Sequence, residues 1–160
     1  MRVATFLMIA TVMAGGAAAA GDDGRLPLIS LVTPAGQAST SASLVRPGHW
    51  ALIYVPTECG GCGSLLRLIV KEEHPQLPPR IAIIVAGATA DAVRAAVAQF
   101  PDLAEAAWFA DPTGASAIAL RLGTAPAVMG LDGDAIEWTI SGVLAGSSDI
   151  KMILERWAEQ

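Results

Sequence analysis

The chain is predicted to fold as one α/β domain: a mixed sheet flanked by helices on both faces, with an N-terminal β-hairpin extension. Two observations carry this expectation. Between Trp50 and Gly123, apolar runs of strand length alternate with segments of helical periodicity, as in a sheet whose strands are joined through helices. Near the end, two further apolar runs are separated by Asp132-Gly133, the strongest hairpin signal in the chain, which adds an antiparallel pair.

The elements follow in order. Residues 1–20 carry Arg2, an apolar stretch from Val3 to Met13, and small residues ending at Ala18-Ala19-Ala20, the layout of a signal peptide cleaved near Ala20. The domain proper is then 21–160. Leu26–Val32 and Ala38–Val45 read as two extended pieces around the turn Thr33-Pro34-Ala35-Gly36. Arg46-Pro47-Gly48 turns into the strand Trp50–Val55. A helix follows with Cys62 inside its first turn and runs to about Glu73, ended by His74-Pro75 because the residue before proline avoids helical geometry. Ile81–Val85 is a continuous apolar run, suited to a strand buried on both faces. Thr89 caps a helix from Ala90 to Gln99, with Pro101 beyond it. Ala106–Ala110 is a short strand, and Asp111-Pro112-Thr113-Gly114 leads into a helix ending at Gly123. Ala127–Leu131 and Ile136–Ile140 form the hairpin. Ser147-Ser148 caps a last amphipathic helix with Ile150, Ile153, Leu154 and Trp157 facing the core.

The chemistry centres on Cys59-Gly60-Gly61-Cys62, which holds both cysteines of the 160-residue chain. The pair lies where a strand becomes a helix. There a helix N-terminus offers unpaired N–H groups and partial positive charge to the first sulfur, favouring thiolate over thiol. The second sulfur is near enough to close a disulfide on the first. One thiol that attacks and one that resolves suffice for disulfide exchange. A purely structural bridge is the weaker reading, because so small a loop removes little entropy from the unfolded chain.

Other classes are excluded or disfavoured. The formal net charge is −5, and removing Arg2 with the signal leaves the chain more acidic. With no basic cluster, nucleic acid and anionic lipid are poor partners. A zinc site needs about four ligands, and beyond the two sulfurs only His49 and His74 are candidates, at no finger-like spacing. No metal site is expected. His49 reads as a surface residue beside a turn and His74 as a helix-end residue. Two thiolates alone can hold Cu(I), so a copper-binding or copper-site assembly module is the alternative reading. A degenerate interaction domain is a third. Trp50 and Tyr54 read as core residues, while Glu58 and Lys71-Glu72-Glu73 read as solvated.

With the Cys-x-x-Cys pair after a strand, the Gly36 hairpin, Asp111 with Gly114, and Gly123-Thr124-Ala125-Pro126 before a strand, the chain resembles the thioredoxin superfamily. Within it, the chain is similar to the exported TlpA-like thiol–disulfide oxidoreductases, from Leu28 to Ala158. The resemblance implies a thioredoxin-like sheet, a cis bond at Pro126 packed against the cysteines, and Ala125 offering backbone groups to an extended substrate. It also implies client proteins with disulfides or thiols, such as apocytochromes or copper-site proteins. A membrane-embedded reductase would restore the dithiol, with no cofactor beyond the Cys59–Cys62 disulfide. A monomer in the periplasm is expected.

The departures from that family are specific. Glu58 stands where thioredoxins carry tryptophan, and Ile53 where they carry a proton-relaying aspartate. Gly60-Gly61 brings no charge to the Cys59 thiolate and Glu58 opposes it, which predicts a moderate reduction potential and slow turnover. Pro56 occupies the place where peroxiredoxins need threonine, with Thr57 one position too late, so peroxidase chemistry is not expected.

Overall fold

In the computed structural model, which describes residues 24–70, 77–142 and 148–160, the longest strand, β3 (His49–Pro56), occupies the middle of a seven-stranded sheet. β4 (Ile81–Ala86) lies parallel to it on one side, and β5 (Ala107–Asp111) lies parallel to β4. β1 (Ser30–Val32) joins β5 antiparallel and pairs β2 (Ala38–Thr40) in the N-terminal hairpin. On the other side of β3, β6 (Ala127–Asp132) runs antiparallel and pairs β7 (Ala135–Ser141) through the Asp132-Gly133 turn. The order is β2-β1-β5-β4-β3-β6-β7, the mixed sheet expected.

Alternation along the strands divides the core into two layers. Ala51, Ile53, Val55, Ile81, Ile83 and Val128 face α1 (Cys62–Val70), α2 (Ala90–Gln99) and α4 (Ser148–Ala158). Trp50, Leu52, Tyr54, Ile84 and Met129 face the opposite layer, built from Ile29, Leu31, Leu44 and α3 (Ala115–Ala119). Ile81 to Ile84 are fully buried and contribute alternately to both, which is why β4 reads as an unbroken apolar run. Trp50 and Tyr54 are core residues, as expected.

Several boundaries differ from the sequence reading. The first extended piece, read as Leu26–Val32, is a strand only from Ser30. Its start is drawn to the far edge, where Leu26 N–H donates to the Asp134 carbonyl at 2.8 Å. The second, read as Ala38–Val45, ends at Thr40 and coils into a 3-10 turn at Ser41–Leu44. The buried Ser41 hydroxyl causes this: it accepts from Ile29 N–H at 2.9 Å and donates to the Pro27 carbonyl at 2.6 Å.

The helix after Asp111 ends at Ala119 and not at Gly123. Arg121 adopts φ 54°, Leu122 N–H bonds the Ala117 carbonyl, and Arg121 N–H bonds the Ile118 carbonyl. That is a Schellman C-cap with arginine in the position glycine usually takes. His49 belongs to β3, half-buried, with its ring edge-on to Trp157 at 4.2 Å, and is not a turn-side surface residue. The signal peptide, the helix end at Glu73 with His74-Pro75, and the cap at Ser147 lie outside the described residues.

Candidate functional site

The cysteine loop is built by the end of β3 and the head of α1. After Pro56, Thr57 N–H still donates to the Ala86 carbonyl at 3.0 Å, so β4 holds the chain for one residue beyond the strand. Gly87 ends β4 at φ +75°, and a Cβ there would stand 3.0 Å from Thr57 Oγ1. A side chain at Gly87 would therefore be strained and would press on the loop that carries Glu58 and Cys59. Cys59 N–H turns back to the Pro56 carbonyl, and Cys62 N–H to the Cys59 carbonyl, each at 3.3 Å. Ser64 and Leu65 N–H groups both reach the Gly61 carbonyl at 3.1 Å, so the helix starts at Cys62, which lies in its first turn as expected.

Cys59 and Cys62 are joined by a disulfide across 5.4 Å between Cα atoms. The two ends differ in access. Cys62 is 5% exposed and packs with Leu65, Leu66 and Ile69, whereas Cys59 is half-exposed beside exposed Glu58 and Gly60. An attacking partner can reach the first sulfur and not the second. Ile53, 0% exposed, is in the same apolar cluster as both cysteines, so no carboxylate occupies the place of a proton relay there.

Ala125–Pro126 is a cis peptide. Tyr54 is in register with Ala127 on antiparallel β6. β3 thus runs toward Cys59 at the same end of the sheet from which β6 sets out at Pro126. Pro126 is buried and its carbonyl accepts from Gly142 N–H at 3.0 Å, while Thr124 Oγ1 donates to Ser141 Oγ at 3.1 Å. Ala125 is half-buried, and Gly123 and Thr124 are exposed. The four residues named from the sequence are therefore gathered at one end of the central strands.

A further polar group lies at this end of the sheet, on the layer opposite the cysteines. Asp111, the last residue of β5, is fully buried, where the sequence reading had it only in the segment leading into the next helix. Its carboxylate accepts from Thr113 N–H at 3.1 Å, Thr113 Oγ1 at 2.8 Å, Ser116 N–H at 2.8 Å and Ser116 Oγ at 2.5 Å. Burial pushes its pKa up, but these four bonds outweigh burial and hold it below the ordinary carboxylate value. Burial, and then the negative charge of Asp111, push Tyr54 above the ordinary phenol value. The Asp-x-Thr-x-x-Ser spacing is the signal that could have found this cap. Among the described residues, no three His, Cys, Asp or Glu side chains gather as a metal site. His49 sits at the opposite end of β3 from the cysteines.

No family profile matches the chain, and no curated protein matches it in sequence. Solved structures do match in shape. A Chlorobium tepidum protein assigned as the thiol:disulfide interchange protein DsbE aligns with TM-score 0.65 at 16% identity, over 87% of this chain and 99% of its own. A secreted Mycobacterium tuberculosis disulfide oxidoreductase homologous to E. coli DsbE aligns with TM-score 0.62 at 17% identity, over 80% and 95%. A thioredoxin-family thiol:disulfide interchange protein from Chlorobium tepidum aligns with TM-score 0.61 at 16% identity, over 86% and 98%. These likenesses establish that the chain has the thioredoxin-like fold.

Proposed function

We propose that the chain is an exported thiol–disulfide oxidoreductase that reduces disulfides in client proteins through its Cys59–Cys62 dithiol. The observation that carries this reading is the unequal access of the two sulfurs, half-exposed at Cys59 and 5% exposed at Cys62, on a strand-to-helix junction. The Cys59 thiolate attacks one client sulfur, forming a mixed disulfide and releasing the other client sulfur as thiolate. The Cys62 thiolate then attacks Cys59, closing the Cys59–Cys62 disulfide and releasing the second client thiol. Two electrons pass to the client, and a membrane dithiol reductase returns two to the domain. No cofactor takes part.

Ala125 and Pro126, at the same end of the sheet, form the edge against which an extended client segment pairs. Among the solved neighbours, one is a secreted disulfide oxidoreductase and two are thiol:disulfide interchange proteins, which supports the reaction class and export. The leader 1–20 supports a periplasmic location, and no helix among the described residues is long and apolar enough to cross a membrane. Apocytochromes and copper-site proteins are the client classes we favour, and a monomer the active form.

The test is turnover. The reduced domain, kept supplied with a small dithiol, should reduce the disulfides of a protein substrate faster than the dithiol alone. A domain that reduces none, yet binds one Cu(I) tightly per cysteine pair, would establish the copper-binding alternative. Intact mass of the periplasmic protein should correspond to a chain starting near Gly21. Full-length chain recovered in the membrane fraction would make the leader an anchor.

A further inference from the structure

Gly63 and Arg67 stand four residues apart on α1 and so share one side of the helix, whose head follows directly on the loop that carries Cys59. Helical side chains lean toward the N-terminus of their helix, so Arg67 points back along this side. Gly63 leaves the way open. Arg67 Nη1 lies 3.8 Å from the point where a Cβ on Gly63 would be, one turn short of the cysteine loop. The guanidinium is exposed and has no ion-pair partner among the described residues. A cation without an ion-pair partner among the described residues is thus folded over a glycine at the head of α1, and the preceding cysteine loop carries no positive charge of its own.

We propose that Arg67 is a positioning residue that acts through the Cys59 sulfur, its charge favouring the thiolate over the thiol and offsetting the adjacent Glu58. The inference rests on the assignment of Cys59 as nucleophile. Among the described residues, Glu58 is on the loop, Arg67 on α1, and Arg121 in the segment before Pro126, with an interaction of its own. α4, which packs on α1, carries Asp149, Arg156, and Lys151 paired with Glu155 at 3.6 Å. Asp111 ends β5 with its carboxylate tied to Thr113 and Ser116 on the opposite layer. Arg67 is the cation that folds back over Gly63 toward the head of α1, next to the cysteine loop. Gly63 is then a functional glycine, since any longer side chain there would fill the gap the guanidinium crosses.

The experiment is the pH dependence of Cys59 alkylation by iodoacetamide in the reduced domain, with the modified residue identified by mass. At low ionic strength, Arg67→Gln should move the midpoint up by about half a pH unit, the shift expected for one charge acting through water at this range. Arg67→Lys should restore most of it, about 1 M salt should shrink the difference, and Gly63→Leu should shift the midpoint in the same direction as Arg67→Gln. Urea midpoints close to wild type would show that each variant folds. An unchanged midpoint in Arg67→Gln, or a shift that lysine fails to rescue, overturns the proposal, as does a wild-type midpoint in Gly63→Leu. Alkylation does not require a client. A wild-type domain without protein-disulfide turnover therefore counts against the oxidoreductase reading, while the Arg67 inference is decided by the alkylation midpoints.

Discussion

Replacing Gly130 by alanine should destabilise the domain, although alanine is ordinarily the better residue inside a strand. Removing glycine from a strand interior gains roughly 0.5–1 kcal/mol. Against that, a Cβ on Gly130 would stand 2.1 Å from Trp138 Cε2, 2.2 Å from Nε1 and 2.5 Å from Cζ2, where carbon atoms need about 3.5 Å. The indole must move by more than an ångström. It is not free to do so. Trp138 meets Trp157 edge-to-face at 5.8 Å, Trp157 Nε1 donates to the Trp50 carbonyl at 3.0 Å, and His49 packs on Trp157 from the other side.

Overpacking of this kind costs about 1–3 kcal/mol, and disturbing the aromatic pair adds about 0.5–1.5 kcal/mol. Subtracting the strand gain leaves a net loss of roughly 0.5–4 kcal/mol. Urea unfolding followed by far-UV circular dichroism should show a lower midpoint at unchanged slope. In a double-mutant cycle, Trp138→Leu should remove most of the Gly130→Ala penalty. A Gly130→Ala protein as stable as wild type, or penalties that simply add, would refute the packing of Trp138 over Gly130.

Two further substitutions test the two core layers. Asp111→Asn should cost about 2 kcal/mol at pH 7, since charge-assisted hydrogen bonds from Ser116 and Thr113 are lost. Because the folded pKa lies below the ordinary 3.8, the stability Asp111 supplies is present above that value and fades as pH falls through the folded pKa. The gap between the two proteins should therefore close in acid, and a gap independent of pH would contradict the role of the charge. Ile53→Asp should lower stability by roughly 3–6 kcal/mol, more at pH 8 than at pH 4, because a buried carboxylate has a raised pKa and the unfolded chain releases its proton first. In the folded fraction, the added proton acceptor beside Cys62 should quicken protein-disulfide reduction. An unchanged rate per folded molecule would remove Ile53 as the cause of slow turnover.

The sheet was legible because its signals are local. β3 and β4 are apolar runs bounded by Pro and Gly, and Asp132-Gly133 marks its own hairpin. The cysteine pair was legible for the same reason, as two sulfurs at a fixed spacing on a strand-to-helix junction. What escaped depends on contacts between distant residues. Ser41 ends β2 because its hydroxyl serves Pro27 and Ile29, and nothing within 38–45 announces that. Gly130 looks like an ordinary strand residue until Trp138 is laid across it. The Arg121 cap replaced the expected glycine because the helix ended at Ala119, four residues before Gly123. Arg67 reads as a solvated helix residue unless the open space at Gly63 is seen.

The central claim is that Cys59 attacks and Cys62 resolves, and trapping tests it most directly. Reduced Cys62→Ser and Cys59→Ser domains would each be incubated with an oxidised client protein, quenched in acid, and analysed for mixed disulfides by non-reducing electrophoresis and mass. The account predicts that Cys62→Ser accumulates a covalent complex through Cys59, while Cys59→Ser, left with a sulfur in a residue 5% exposed, traps almost none. Equal trapping by the two variants, or more by Cys59→Ser, would contradict it.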